Sequence, residues 1–484
     1  MPSQKIILGI DFGTTYSGVA WASTTSPNEI SPIRQWPNAG KADVDKVPSE
    51  MVYLPDGTFK WGFQTSPESI RKEGKLLQYM KLLLDPSQEA GNVLADPLGL
   101  EHVRCLLPQN KKPVDVVADY LRAVKTHALD VLSKNFGTEF WKVIEVEYHL
   151  TIPAVWSESA KALTLKAANT AGIGASNDLI LIAEPEAAAL YCLTDSYPGL
   201  LKVGDTFTVA DCGGGTVDLV SYKVLAREPK FEVKEVAVGG GLCGSVFLNR
   251  RFEAFIRRRL GTLHLSVDMM IKKGKPYYKM MKEFDERLKR TFQDTEDQEV
   301  MDCEVPGLPD DPRTRVEDGF VEIDRAEMRA IFDPVINEIL RLITEQVNTV
   351  NMGYHNSVSS VLLVGGFGSS PYLYKRVQEY SQTLAGVSKD FKVLQPVNAW
   401  SAVARGAVIC GLQNIQIQSR QARRNYGITI SETFDPKVHL IADKTWCPLM
   451  EGWETRNSVR WFVKKVLILN CLSQKDKSSQ IYIG

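Results

Sequence analysis

The sequence predicts an α/β fold organised around a strand–turn–strand unit that occurs twice. An apolar run ending in an acid, Ile7-Leu8-Gly9-Ile10-Asp11, leads through Phe12-Gly13-Thr14-Thr15 into a second apolar run from Tyr16 to Trp21. The same order returns as Phe207-Thr208-Val209-Ala210-Asp211, then Cys212-Gly213-Gly214-Gly215-Thr216, then Val217-Asp218-Leu219-Val220. A third buried-strand pattern, Val361 to Val364, ends in Gly365-Gly366, and helical stripes separate these strands. A glycine turn leaves backbone N–H groups bare for a phosphate. An aspartate at a strand tip suits a hydrated divalent cation. Two copies imply two half-sites gripping one polyphosphate.

Composition sets the frame. The 484 residues have room for two or more domains, 44% of them are hydrophobic, and the net charge is −1, which argues against a nucleic-acid or anionic-membrane surface. The start, Met1-Pro2-Ser3-Gln4-Lys5, reads as no signal peptide, and no apolar run approaches a transmembrane span. Eight cysteines without a C-x-x-C pair predict reduced, mostly buried thiols and a cytoplasmic or nuclear setting. Six scattered histidines lack zinc-ligand spacing.

Along the chain, residues 27–66 read as short strands and turns, being rich in Pro, Gly and Asn. A helical pattern from Glu73 to Asp85 contains Lys81 in an apolar patch, and the pattern alone favours a lysine stem covering apolar surface. Val117, Tyr120, Leu121, Val124, Ala128 and Leu132 form one helical stripe ended by Gly137. A strand over Val143–Ile152 follows, then a helix capped by Ser157 and stopped at Gly172. The short strand from Leu179 meets a helix at Glu184-Pro185. An acid at that corner favours the helix N-terminus, and spacing leaves its role, catalytic or structural, open.

The polar bridge Asp195–Asp205 marks a boundary before the second hairpin. Gly239 to Gly244 suits a phosphate or hinge contact. In the helix around Lys282–Gln293, Glu286, Lys289, Arg290 and Gln293 share a face that reads as a solvated salt-bridge face. Asp324 with Glu327 forms a capping-box pattern, and Pro334 is expected to break or kink the helix that follows. Ser370-Pro371 opens another helix. Small residues from Ala402 to Ala407 suit close packing. After Leu412, Tyr426–Ile430, Val438–Ala442, Val459–Val463 and Val466–Leu469 read as short strands of a β-rich tail.

No P-loop pattern occurs, and both main glycine loops run into strands, which counts against P-loop and Rossmann readings. Together, Ile10-Asp11-Phe12-Gly13-Thr14-Thr15-Tyr16-Ser17, Asp211-Cys212-Gly213-Gly214-Gly215-Thr216-Val217-Asp218 and Val364-Gly365-Gly366 resemble the two phosphate motifs and the adenosine motif of actin-like ATPases. Glu184-Pro185-Glu186-Ala187-Ala188-Ala189 resembles the first connecting segment of the 70-kDa heat-shock protein family. Leu82-Leu83-Leu84-Asp85-Pro86 and Gly365-Gly366-Phe367-Gly368-Ser369-Ser370-Pro371 are similar to the divergent branch of that family, and the likeness runs over about residues 5–412.

The resemblance implies two RNase H-like lobes around a nucleotide cleft. Residues 1–195 would form lobe I (insertion about 35–115), 196–412 lobe II (insertion about 240–320), and 413–484 a partial β-rich segment. It implies ATP or ADP with Mg2+ as ligands. Asp11 and Asp211 would hold the metal, Lys81 would place the attacking water, and Glu184 would orient water around the metal. Thr216 with the amides of Gly13, Thr14, Thr15, Tyr16, Gly213, Gly214 and Gly215 would cradle the phosphates. Gly244, Glu286, Lys289, Arg290, Gly365, Gly366 and Ser369 would meet the nucleotide. The implied activity is slow ATP hydrolysis with lobe closure controlled by the γ-phosphate, acting with unfolded or partner polypeptides and co-chaperones. The alternative is a nucleotide-gated binding module with little turnover. The family pattern has acids where Ser245, Val246 and Trp400 stand, and a basic residue at Ser369. The segment after Leu412 is too short for both a peptide-binding sandwich and a lid.

Overall fold

The computed structural model describes residues 4–40, 43–65, 75–85, 100–137, 144–174, 179–197, 199–227, 231–261, 275–354, 357–413, 419–421, 426–463 and 468–470. Two mixed sheets dominate. In the first, β1 (Lys5–Asp11) forms a hairpin with β2 (Tyr16–Ser23). The short strands β3 (Ser31–Pro32) and β4 (Lys46–Pro48) both pair antiparallel with β2. On the other side of β1 lie β5 (Glu145–Ile152) and then β6 (Leu179–Ala183), both parallel.

The second sheet repeats this order. β7 (Thr206–Cys212) and β8 (Val217–Ala226) form the hairpin, β9 (Glu232–Gly241) pairs antiparallel with β8, and β10 (Val358–Val364) and β11 (Val387–Leu394) run parallel beyond β7. Duplication therefore extends from the loops to the sheets that carry them. Each hairpin strand is buried over nearly its whole length because helices cover both faces, which is why these strands read as unbroken apolar runs.

The helices follow from their stripes. α1 (Pro113–Phe136) buries Val117, Tyr120, Leu121, Val124, Ala128 and Leu132 against the first sheet. α2 (Glu158–Thr170) starts where Ser157 Oγ accepts the Ala160 N–H at 3.2 Å. α3 (Glu184–Tyr191) and α6, residues 402–413, lie in the layer between the sheets. There a Cβ on Gly406 would fall 1.7 Å from the Ala187 carbonyl, so the small residues of Ala402–Gln413 are what let these helices meet. α4 (Val246–Leu260) and α5 (Arg325–Tyr354) cover the second sheet.

Several expectations change in detail. The pattern ending at Asp85 is not one helix: Leu76–Leu77 pairs as a strand, Tyr79 turns the chain at φ 56°, and Met80–Leu84 forms a 3-10 helix. Pro334 does not break α5. The carbonyl of Ala330 that a Pro334 N–H would have met accepts from Arg251 Nη2 at 2.9 Å, so the helix continues. Asp324 and Glu327 do form the reciprocal cap, at 2.9 and 3.0 Å. In the tail, Tyr426–Thr433, Lys444–Cys447 and Gly452–Val463 form an antiparallel three-stranded sheet. Val438–Ala442 is not a strand, because Asp435 accepts the His439 N–H on its carbonyl and the Lys437 N–H on its carboxylate, which curls the segment. The start of the expected helix at Glu73, Arg423–Arg424, Cys471 and the ending after it lie outside the described residues. Among the described cysteines none is bridged, and Cys192, Cys212, Cys243 and Cys303 are buried.

Candidate functional site

One cleft between the two sheets gathers Asp11 and Asp211 with Gly13, Thr14, Thr15 and Tyr16 of the first loop and Gly213, Gly214 and Thr216 of the second. The hairpins place both loops at strand tips. Ser49 props the first: its Oγ donates to the Gly13 carbonyl and its N–H to that of Thr15, each at 2.8 Å. The second closes on itself, Gly213 N–H to Thr216 O at 2.9 Å. The loops face each other so closely that a Cβ on Gly214 would lie 2.4 Å from Thr15 Oγ1. Gly365, Gly366 and Ser369 complete the wall. Gly365 sits at φ +85°, and a Cβ there would fall 2.3 Å from Asp211 Oδ1, so this turn admits only glycine.

Charge is concentrated at the cleft floor. The 3-10 helix of Met80–Leu84 presents Lys81, buried between the rings of Phe12 and Trp156. Asp85 at its end accepts from Ser157 Oγ at 3.0 Å, tying this helix to the cap of α2. Lys81 Nζ donates to Glu184 Oε1 at 2.5 Å, and Glu184 is the first residue of α3. Burial pushes the Glu184 carboxyl up to about 7; Lys81 opposes this, while Asp11 and Asp218 add to it. Asp211 is raised well above the ordinary carboxylate range by burial first, then by Glu184, Asp218 and Asp11.

Lys289 and Arg290 also line the cleft. Lys289 donates to Asp285, and to Asn249 Oδ1 at 3.0 Å. With Asn249 it holds the Asp285 carboxyl below its ordinary value although burial works against this. The Arg290 guanidinium lies 4.8 Å from the Trp400 ring and 5.5 Å from that of Tyr16, a cation–π cluster at the mouth.

Three predicted contacts lie off the cavity lining. Gly215 packs between Thr14 and Leu82. Gly244 stands behind the second loop with its N–H donated to the Gly215 carbonyl at 3.1 Å, and no side chain fits there because a Cβ would meet Gly214 O at 2.3 Å. Glu286 faces outward beside Lys282 at 3.8 Å. Polar and aromatic cleft residues that sequence did not single out for binding include Lys46, Asp285 and Trp400; the buried Asp218, off the lining, was not singled out either. Asp218 did carry a signal, since it follows Asp211 at the spacing by which Gly18 follows Asp11. It sits directly opposite Asp211 in the hairpin and accepts the Val155 N–H at 3.2 Å.

The donor set suits Mg2+ bound with a polyphosphate. Asp11, Glu184, Asp211 and Asp218 outnumber Lys46 and Lys81, leaving a surplus of negative charge when all are ionised. Among the described residues no three His, Cys, Asp or Glu side chains converge on one metal position. Asp11 and Asp211 both line the cavity, and carboxylate oxygens are donors that suit a hard divalent cation.

A family model described as Hsp70 protein matches residues 90–420. The chain belongs to the Hsp70 family. The match takes in the second and third glycine turns. Similarity reaches beyond those bounds: the chain is 24% identical to Heat shock 70 kDa protein 12A of Homo sapiens over 531 residues, 92% of this chain and 76% of that protein. It is also 24% identical to Heat shock 70 kDa protein 12B of Homo sapiens over 545 residues, 92% of this chain and 75% of that protein. The Chaperone protein HscA homolog of Cupriavidus taiwanensis is 28% identical over 245 residues, 49% of this chain and 34% of its own length. Membership of the Hsp70 family, together with the glycine turns it spans, implies a nucleotide-binding ATPase domain.

Proposed function

We propose that this chain binds MgATP in the cleft and hydrolyses it slowly, with the state of the γ-phosphate controlling closure of two lobes. The two like-ordered sheets would be the cores of RNase H-like lobes, residues 1–195 and 196–412. The small sheets over 51–77 and 300–324 would belong largely to the insertions of about 35–115 and about 240–320, and 413–484 would be a partial β-rich segment. The observation that carries this reading is the meeting of two acid-tipped glycine loops across one cavity. Loop amides and the Thr216 hydroxyl would cradle the β- and γ-phosphates. When bound, Mg2+ near Asp11 and Asp211 would neutralise phosphate charge. Lys81 and Glu184 would hold the attacking water in line, and positioning is most of what phosphoryl transfer asks of a protein. Because Glu184 is tied to Lys81, it orients more than it takes protons, and turnover is slow. Unfolded or partner polypeptides, with co-chaperones, are the proposed recipients of the closure.

Single-turnover hydrolysis by wild type and Lys81→Ala tests the chemistry. The variant should be slower by about a hundredfold; equal rates above background would remove Lys81 from the mechanism. The second reading, a nucleotide-gated binding module with little turnover, draws on Trp400 and Ser245 standing in the cleft where the family pattern has acids. Calorimetry showing Mg-dependent ATP binding without phosphate release would favour it.

A further inference from the structure

The two halves of the cleft are duplicates in backbone but not in charge. In the first sheet, Asp11 pairs with Gly18 on β2, and Gly18 pairs in turn with Lys46 on β4. In the second, Asp211 pairs with Asp218 on β8, and Asp218 with Gly240 on β9. The rows correspond position by position. One reads acid, glycine, lysine; the other acid, acid, glycine.

The glycine in the first row makes room for the lysine. A Cβ on Gly18 would lie 3.0 Å from Lys46 Cγ and 3.4 Å from its Cε, so the Lys46 stem runs across Gly18. Its Nζ reaches Asp11 Oδ2 at 2.6 Å, with the two side chains 7% and 6% exposed. An ammonium has three donors and Asp11 takes one. Lys46 also lines the cavity beside Gly13, Thr14 and Gly213. A lysine placed there faces the same space as the phosphate-cradling amides.

We infer that Lys46 is a resident cation of the phosphate site. It neutralises Asp11 and donates its remaining N–H groups to oxygens of a nucleoside di- or triphosphate, so this chain retains nucleotide binding when divalent metal is removed. A bare Asp11 would repel polyphosphate unless a metal stood between them; Lys46 removes that repulsion from within the protein. The second row, with Asp211 and Asp218, keeps its demand for an added cation. The inference rests on the cleft being a nucleotide site, and it assigns Lys46 to affinity and metal dependence, leaving the reacting water to Lys81.

Calorimetric titration of the full chain with ATP, in magnesium and in EDTA, tests it. Wild type should bind in both, with the two dissociation constants within about tenfold. Lys46→Met and Lys46→Gln should each widen that ratio by about tenfold or more, the cost of losing one charged partner of the phosphates. Lys46→Gln keeps a donor for Asp11, so it separates loss of charge from loss of folding, and circular dichroism melts report the fold of both variants. Wild type that binds MgATP but no ATP in EDTA would overturn the assignment, as would a ratio unchanged in Lys46→Gln. Absence of ATP binding under both conditions would overturn the nucleotide reading of the cleft along with it.

Discussion

Raising the pH through neutrality should weaken the ligand-free protein through Glu184. Its carboxyl is pushed up to about 7 in the fold from an ordinary 4.5. Between those values the folded protein keeps a proton that the unfolded chain has released. Folding is therefore unpenalised below about pH 4.5 and loses stability as pH rises through 7, where the buried group must ionise among other acids. The displacement corresponds to roughly 3 kcal/mol at most. Asp211 is raised as well and adds in the same direction. Urea unfolding of nucleotide- and metal-free protein at about pH 5.5 and about pH 8 measures the slope. Glu184→Gln keeps an acceptor for Lys81 and cannot ionise, so it should lose less stability over that interval, by about 2 kcal/mol. Parallel pH profiles for the two proteins would refute the assignment of the strain to Glu184.

Gly365→Ala should lower nucleotide affinity at least about tenfold and cost roughly 2–4 kcal/mol of stability, because the added carbon meets Asp211 Oδ1 and the Cys212 carbonyl at a positive φ. Titration and chemical unfolding of one sample read both effects. Arg251→Met should cost about 1 kcal/mol by leaving the Ala330 carbonyl without its donor, and Pro334→Ala should make Arg251 nearly dispensable; a double-mutant cycle checks the coupling. Asp324→Ala removes the cap of α5 and should lower stability by about 1–2 kcal/mol in thermal or urea unfolding. Trp400→Phe should abolish most of the intrinsic fluorescence change on adding ATP, since its indole lines the cleft mouth.

Local pattern determined a great deal of this protein. The two hairpins, the helical stripe of α1, the Ser157 cap and the Asp324–Glu327 box all depend on residues close in sequence, and each was readable from spacing. The acid-tipped loops were legible for the same reason, since strand, acid and glycine follow one another directly. Lys81 was not: its spacing suits a snorkelling stem, and only the resemblance pointed to the cleft. Its burial between Phe12 and Trp156, and its bond to Glu184, join chain segments far apart. Pro334 read as a break because the donor that rescues the helix, Arg251, comes from another helix altogether.

The sequence by itself thus determined the secondary elements and the chemistry each loop tip can offer, because those follow from near neighbours along the chain. Tertiary structure alone decided which charges share the cavity. Lys46 meets Asp11 through the pairing of three strands and the empty space over Gly18, and Glu184 and Asp211 are raised first by burial and then by acids brought from different segments. Coulomb energy depends on distance in space and on burial, and neither is written in the order of residues.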